Sequence, residues 1–162
     1  MMRARLSRTH RSNDDILTVE KAARCCAERG VQLTTLRRLA LEAMLAFKKP
    51  ATAYDLKDAL QERLAKHVAP TTAYRAIDFL MAQGFILRIE AIRAYVPASF
   101  VRPDMISVLC LCRQCGAIAQ VVLPRLEAEL SATTAGIGFH LVRPVVELHG
   151  SCADCTEVPR RS

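Results

Sequence analysis

Two short cysteine motifs constrain this chain more than any other feature. Cys112 and Cys115 have two residues between them, Cys152 and Cys155 repeat the spacing, and 36 residues separate the pairs. A C-x-x-C segment turns tightly and aims two thiolates at one point. Gly116 after the first pair and Gly150 before the second suit such corners. Two turns together supply four sulfurs in a tetrahedron, which is the closed coordination of a structural zinc ion, one per chain. The interval is wider than in a simple zinc ribbon. A strand, a helix and a further strand must fold between the pairs, so the metal would fasten the ends of a small subdomain. Two other readings carry less weight. A thioredoxin-like redox motif needs one pair after a strand, not two. A disulfide framework needs a secreted chain, and the opening MMRARLSRTHRSNDD is basic and polar with no hydrophobic segment behind it.

Charge is distributed unevenly. Residues 1–97 hold 17 Lys/Arg against 10 Asp/Glu, whereas residues 98–162 hold six of each, so the whole formal excess of +7 lies in the first part. That asymmetry points to a polyanionic partner for the first part and a neutral role for the second, against the simpler reading of a solvated basic surface. No apolar run approaches the ~20 residues that a membrane-spanning helix needs. Seven cysteines, Cys25 and Cys26 adjacent, fit a reducing cytoplasm, and the two neighbours suit small core positions. Residues 1–18 read as a flexible basic arm.

Residues 19–29 read as a helix closed by Gly30, with Val19, Ala22, Ala23 and Cys26 on one face. Thr34 or Thr35 caps a second helix with a stripe of Leu36, Leu39, Ala40, Ala43 and Met44. A third helix runs from Thr52 to about Lys66, packing through Tyr54, Leu56, Leu60 and Leu64. Pro70 opens the fourth and Gly84 closes it, the expected punctuation. Ala73, Ile77, Leu80 and Met81 fall on its core side. Thr71, Tyr74, Arg75 and Asp78 share another face, which brings hydroxyls, an aromatic ring and a guanidinium to the helix start, as entry into a DNA major groove requires. FILRIEA and RAYVP then alternate as a hairpin. Three helices, a recognition helix and a hairpin over residues 19–97 make a winged helix-turn-helix. Residues 98–105 form a hinge linker. Residues 106–162 read as a β-β-α-β dimerisation domain: strands ISVLCLC and AIAQVVL, a helix from Pro124 to Gly136, and a strand FHLVRPVVELHG. The fold class is therefore α+β. A homodimer would present two recognition helices about a two-fold axis, matching palindromic operator DNA.

The segments GVQLTTLR, TAYDLKDAL, PTTAYRAIDFLMAQGFI, CRQCG and VELHGSCADC together resemble the ferric uptake regulator family, and within it the zinc uptake regulator branch, over roughly residues 20–157. The resemblance implies a dimeric, metal-sensing transcription repressor and not an enzyme. By it, Tyr74 and Arg75 are the DNA-contacting pair of the recognition helix, with Thr71 and Thr72 beside them. Arg37 is a phosphate contact, and Cys112, Cys115, Cys152 and Cys155 are the structural zinc ligands. Thr35 and Leu36 depart from the family's proline and glutamine.

A larger departure falls at the family's sensory metal site. The matching positions here are Leu87, Ala98, Asp104, Gln120 and Arg143, with Glu147 and His149 nearby. Of the first five only Asp104 is a ligand type, and zinc prefers nitrogen or sulfur. A second, regulatory metal is therefore doubtful. Arg143 would instead pair with Glu147 as a permanent cation, or would simply be solvated; a site rebuilt from Cys110, His140, Glu147 or His149 is a further reading. Against DNA binding stands the alternative of a zinc-stapled module that pairs with a related regulator and binds DNA poorly itself.

Overall fold

Thr18 accepts a hydrogen bond from the Lys21 backbone N–H and so caps α1 (Val19–Glu28), which buries Ala22 and Cys26. Gly30 takes φ +66 just beyond it, a left-handed position that glycine occupies at little cost. The computed structural model describes residues 17–98, 106–141 and 144–156, and the chain divides into two units between residues 103 and 104. The arm expected at 1–18 lies outside the described residues except for its last two, and the hinge linker except for Ala98.

In the first unit, α2 (Thr35–Ala46), α3 (Ala53–Leu64) and α4 (Pro70–Ala82) pack around a core of Leu41, Met44, Leu56, Leu60, Ile77 and Leu80, to which Phe85 and Ile86 add. Three details differ from the periodicity. Leu41 is fully buried although it lies off the expected stripe, while Leu36 and Leu39 are only half-buried. The cause is that α2 packs against both α3 and α4 and buries two sides. In α4, Ala76 is buried and Met81 only half-buried. On α3 the buried line runs Ala53, Leu56, Leu60, and Tyr54, about 100° around the helix from Ala53, is 61% exposed rather than packed.

A capping box starts α3. The Thr52 hydroxyl accepts from the Asp55 N–H at 3.2 Å, and the Asp55 carboxylate accepts from the Thr52 N–H at 2.7 Å. Bonds from the Thr52 hydroxyl and then its N–H hold the Asp55 carboxyl below the usual range. A depressed carboxyl stabilises fully above its unfolded pKa, and that share is lost as pH falls through the folded value. Thr52→Ala is expected to lower stability by about 1 kcal/mol at neutral pH. In urea titrations the deficit shrinks in acid, where Asp55 is protonated in both proteins.

After α4, Gly84 at φ +73 turns the chain into β1 (Ile86–Ile89). A 3₁₀ turn (Glu90–Ile92) follows, and β2 (Ala94–Pro97) pairs antiparallel with β1, Ile86 opposite Pro97 and Ile89 opposite Ala94. Ala51 adds a short bridge to Tyr95 through bonds of 3.0 and 2.8 Å. Arg29 donates to the Gln83 carbonyl at 2.7 Å and ties α1 to the end of α4. Helix, recognition helix and two-stranded wing follow in the expected order.

The second unit is a three-stranded sheet in the order β4-β3-β5, built from β3 (Ser107–Cys112), β4 (Ile118–Val122) and β5 (Val145–Gly150). β3 runs antiparallel to β4 and parallel to β5, and α5 (Pro124–Ala135) makes the connection. β5 is shorter than the sequence suggests. Phe139–Leu141 are not strand, and residues 142–143 lie outside the described residues. Pro144 lacks an N–H and cannot donate to a ladder; its carbonyl accepts from Ser107, and pairing begins at Val145 opposite Ser107. A short α6 (Ala153–Thr156), not anticipated from the sequence, starts just after Cys152 and carries Cys155.

Candidate metal centre and nucleic-acid interface

The parallel pairing of β3 with β5 sets Cys112 opposite Gly150, so both C-x-x-C turns emerge at the same end of the sheet. At the first turn the Gly116 N–H donates to the Cys112 carbonyl at 3.0 Å, with Gly116 at φ +72. At the second, the Cys155 N–H donates to the Cys152 carbonyl at 3.0 Å. Arg113 N–H to the Gly150 carbonyl at 2.8 Å, and Gln114 Nε2 to Ser151 Oγ at 3.2 Å, lace the turns together.

The result is one cluster of four sulfurs, all within 4.8 Å of one another. Cys115 Sγ lies 3.6 Å from Cys152 Sγ, far beyond a disulfide bond of ~2.04 Å. It is close to the ~3.8 Å edge of a tetrahedron with zinc–sulfur bonds of about 2.3 Å. All seven cysteines are unbridged. Donor set, spacing and geometry fit a structural zinc ion held by Cys112, Cys115, Cys152 and Cys155. Four thiolates leave no coordination position open for a substrate, so the ion's part is to neutralise them and hold the two turns together.

The cluster is tuned unevenly. Backbone N–H groups of Cys115, Cys152 and Gln114 draw Cys112 down to about 6, and the Cys152 N–H reaches its sulfur at 3.3 Å. Cys155 is pushed up to about 12, first by its hydrogen bond with the Cys152 thiol and then by desolvation. Cys112 is therefore the sulfur best prepared to meet a metal as a thiolate, and ligation by Cys152 and Cys155 must displace protons.

On α4 the two faces separate cleanly. Ala73, Ala76, Ile77 and Leu80 are buried, while Thr71, Tyr74, Arg75 and Asp78 are exposed and Thr72 is half-buried. Tyr74 is 44% exposed, high for an aromatic side chain with no partner helix to cover it. Arg37 is half-buried: its guanidinium stands 3.7 Å from the Phe79 ring centroid and donates to the Gln32 carbonyl at 2.7 Å. It braces the start of α2 against α4, a support that spacing alone did not suggest.

The positions aligned with the family's sensory site fall in both units. Leu87 is half-buried on β1 opposite Val96. Ala98 is buried and its N–H donates to the Phe85 carbonyl at 2.9 Å. Asp104 and Arg143 lie outside the described residues. Gln120 and Glu147 face the same side of the sheet, with Leu109 between them in register, so their Cα atoms are about 10 Å apart. Glu147 does approach His149 Nε2, at 3.7 Å. Cys110 pairs across with Ala119 and Leu148 and so points to the opposite face from Glu147 and His149; a site combining it with them is not formed.

Comparison with known proteins agrees with this architecture. The family model described as the ferric uptake regulator family matches residues 28–149. The chain is 37% identical over 139 residues to the zinc uptake regulation proteins of Escherichia coli (strain K12) and Shigella flexneri, covering 85% of this chain and 81% of each relative. A solved zinc uptake regulator complexed with zinc and DNA superposes with a TM-score of 0.76 at 36% identity, over 86% of this chain and 93% of that one. Holo XcZur superposes with a TM-score of 0.75 at 32% identity, over 86% and 97%. The chain belongs to the ferric uptake regulator family, whose members are transcription regulators and not enzymes.

Proposed function

We propose that this regulator is a zinc-uptake-regulator-type repressor that binds palindromic operator DNA as a homodimer in the cytoplasm. Residues 19–97 are its DNA-binding domain, residues 98–105 its hinge and residues 106–162 its dimerisation domain, with residues 1–18 a basic arm. The observation that carries the reading is the division of α4. Its apolar face is buried, and Thr71, Tyr74, Arg75 and Asp78 stand together in solvent within the part of the chain that holds all the excess positive charge. Arg75 is the base-reading guanidinium, Tyr74 meets methyl groups and sugar, and Thr71 and Thr72 bond phosphates at the helix start. Arg37 uses one of its five N–H donors on Gln32, which leaves others to meet a phosphate. The similarity to a zinc uptake regulator solved with DNA supports the same arrangement. It also disfavours a module that pairs with a related regulator while binding DNA poorly.

Zinc at the four cysteines is structural in this reading. The sensory positions Leu87, Ala98, Asp104, Gln120 and Arg143 lack the donors for a second zinc of the family's kind, and Glu147 and His149 alone are too few. The repressor would thus differ from its relatives in how it is switched. Arg75→Ala is expected to weaken operator binding by on the order of 1–3 kcal/mol, roughly five- to 150-fold. The check is fluorescence anisotropy with a duplex selected from a random pool by the wild-type protein. Unchanged affinity would remove Arg75 from the interface.

A further inference from the structure

The helical unit holds a cavity of about 540 Å³ between the start of α2, the end of α3 and the start of α4. Small-molecule sites commonly enclose about 300–1,000 Å³. Its walls are Leu36 and Leu39 of α2, Leu64 of α3 and Val68 of the loop before α4. The three leucines pack against the core yet stay half-buried, and the cavity takes up surface that they leave uncovered. The loop that shapes it is held in place. Ala65 ends α3 at φ +49, and the Val68 N–H donates to Gln61 Oε1 at 3.2 Å. Leu36 is also one of the positions where this chain departs from its family's pattern, and it gives the cavity an apolar wall in place of an amide.

The polar groups around these walls favour one sign of charge. Lys66 and His67 line the cavity and are exposed, Thr35 and Thr72 add hydroxyls, and no Asp or Glu is among the lining residues. No side chain caps α2 at Thr34 or α4 at Ala69, so the first N–H groups of two helices add positive potential. Those helix starts are secondary. The leucine walls select an apolar body, and the ammonium, the imidazole and the hydroxyls select an anionic head.

We infer that this cavity binds an organic carboxylate with an apolar body, and that the bound ligand closes the start of α4 to DNA. The second half rests on the reading of α4 as the DNA-contacting helix; the first does not. Thr72 belongs to both, since it lines the cavity and stands at the helix start that meets phosphate in that reading. Ligand and operator therefore exclude each other, which gives the regulator a switch that needs no second metal.

The probes are octanoate and naphthoate, with octanol and naphthalenemethanol as their neutral counterparts. Amide spectra of the zinc-loaded full chain should show saturable shifts with the carboxylates at Leu36, Leu39, Val68 and Thr72, and the alcohols should bind at least about fivefold more weakly. The double variant Lys66→Gln, His67→Gln, and Leu36→Gln alone, should each weaken naphthoate about five- to tenfold while the helical unit melts near the wild-type temperature. Anisotropy with a duplex selected from a random pool by wild type should show naphthoate weakening DNA binding by the wild type and much less by the double variant. If neither carboxylate shifts these amides saturably, or the alcohols bind equally well, the site is overturned. If naphthoate fills the cavity without changing duplex affinity while Arg75→Ala loses affinity, the switch is overturned and the role of α4 stands. If Arg75→Ala keeps full affinity, the reading of α4 falls and the switch with it, and the amide shifts alone decide the cavity.

Discussion

Stripping the metal with a strong chelator at neutral pH, or replacing Cys152 by serine, is expected to unfold the sheet unit and leave the helical unit folded. Among the described residues, buried side chains in the second unit are few: Ile106, Val108, Leu109, Leu111 and Cys112, all on or just before β3. A core of that size does not offset the chain entropy of some fifty residues. Four-thiolate zinc sites contribute apparent folding energies of about 10–16 kcal/mol at pH 7, which makes the ion the largest single contribution to this unit. Amide exchange should show β3 and β5 losing protection together, because the bonds from Ser107 to Cys112 depend on β5 staying in register. Elemental analysis should find about one zinc per wild-type chain from this cluster and far less for Cys152→Ser. A Cys152→Ser protein that keeps slow exchange in β3 would show that the sheet holds without its clasp.

The second large effect is expected in the other unit. Phe85 is fully buried, and it links three elements: its N–H donates to the Leu80 carbonyl at 2.9 Å, its carbonyl accepts from Ala98 at 2.9 Å, and Arg29 lies 5.9 Å from its ring. Phe85→Ala removes a ring from the point where α4 passes into the wing. The cost is expected to be about 3–5 kcal/mol, transfer and cavity together. Urea unfolding followed by helix circular dichroism should show the midpoint falling while zinc content stays near wild type. Two units of different composition need not unfold in one transition, so each must be followed by its own probe.

Much of this was legible in the sequence, for identifiable reasons. The cysteine spacing specified the metal centre because a C-x-x-C turn has little conformational choice. Pro70 and Gly84 bracketed α4 because each has a backbone preference independent of context. What failed was tertiary. Tyr54 looked like a packing residue by type, and only the path of the Ala53–Leu56–Leu60 line decided otherwise. Leu41 looked off-stripe until α2 was seen to be covered on two sides. The start of β5 slipped because apolar alternation from Phe139 onward ignored the missing N–H of Pro144. Arg37 drew attention as a cation and proved to be also a brace, which charge counting does not reveal. The separation of Gln120 from Glu147 by one strand could not be read at all without the strand order.

The strand order also has a consequence for how the chain is made. Cys112 and Cys115 sit in a local turn that can close as soon as it is synthesised, whereas Cys152 and Cys155 reach it only through a parallel pairing across α5. At about 5–20 residues per second, the second pair follows the first by roughly 2–7 s on the ribosome. For those seconds the nascent chain carries a two-sulfur clip, able to take a cation from the cell's buffered pool before the rest of its cage exists.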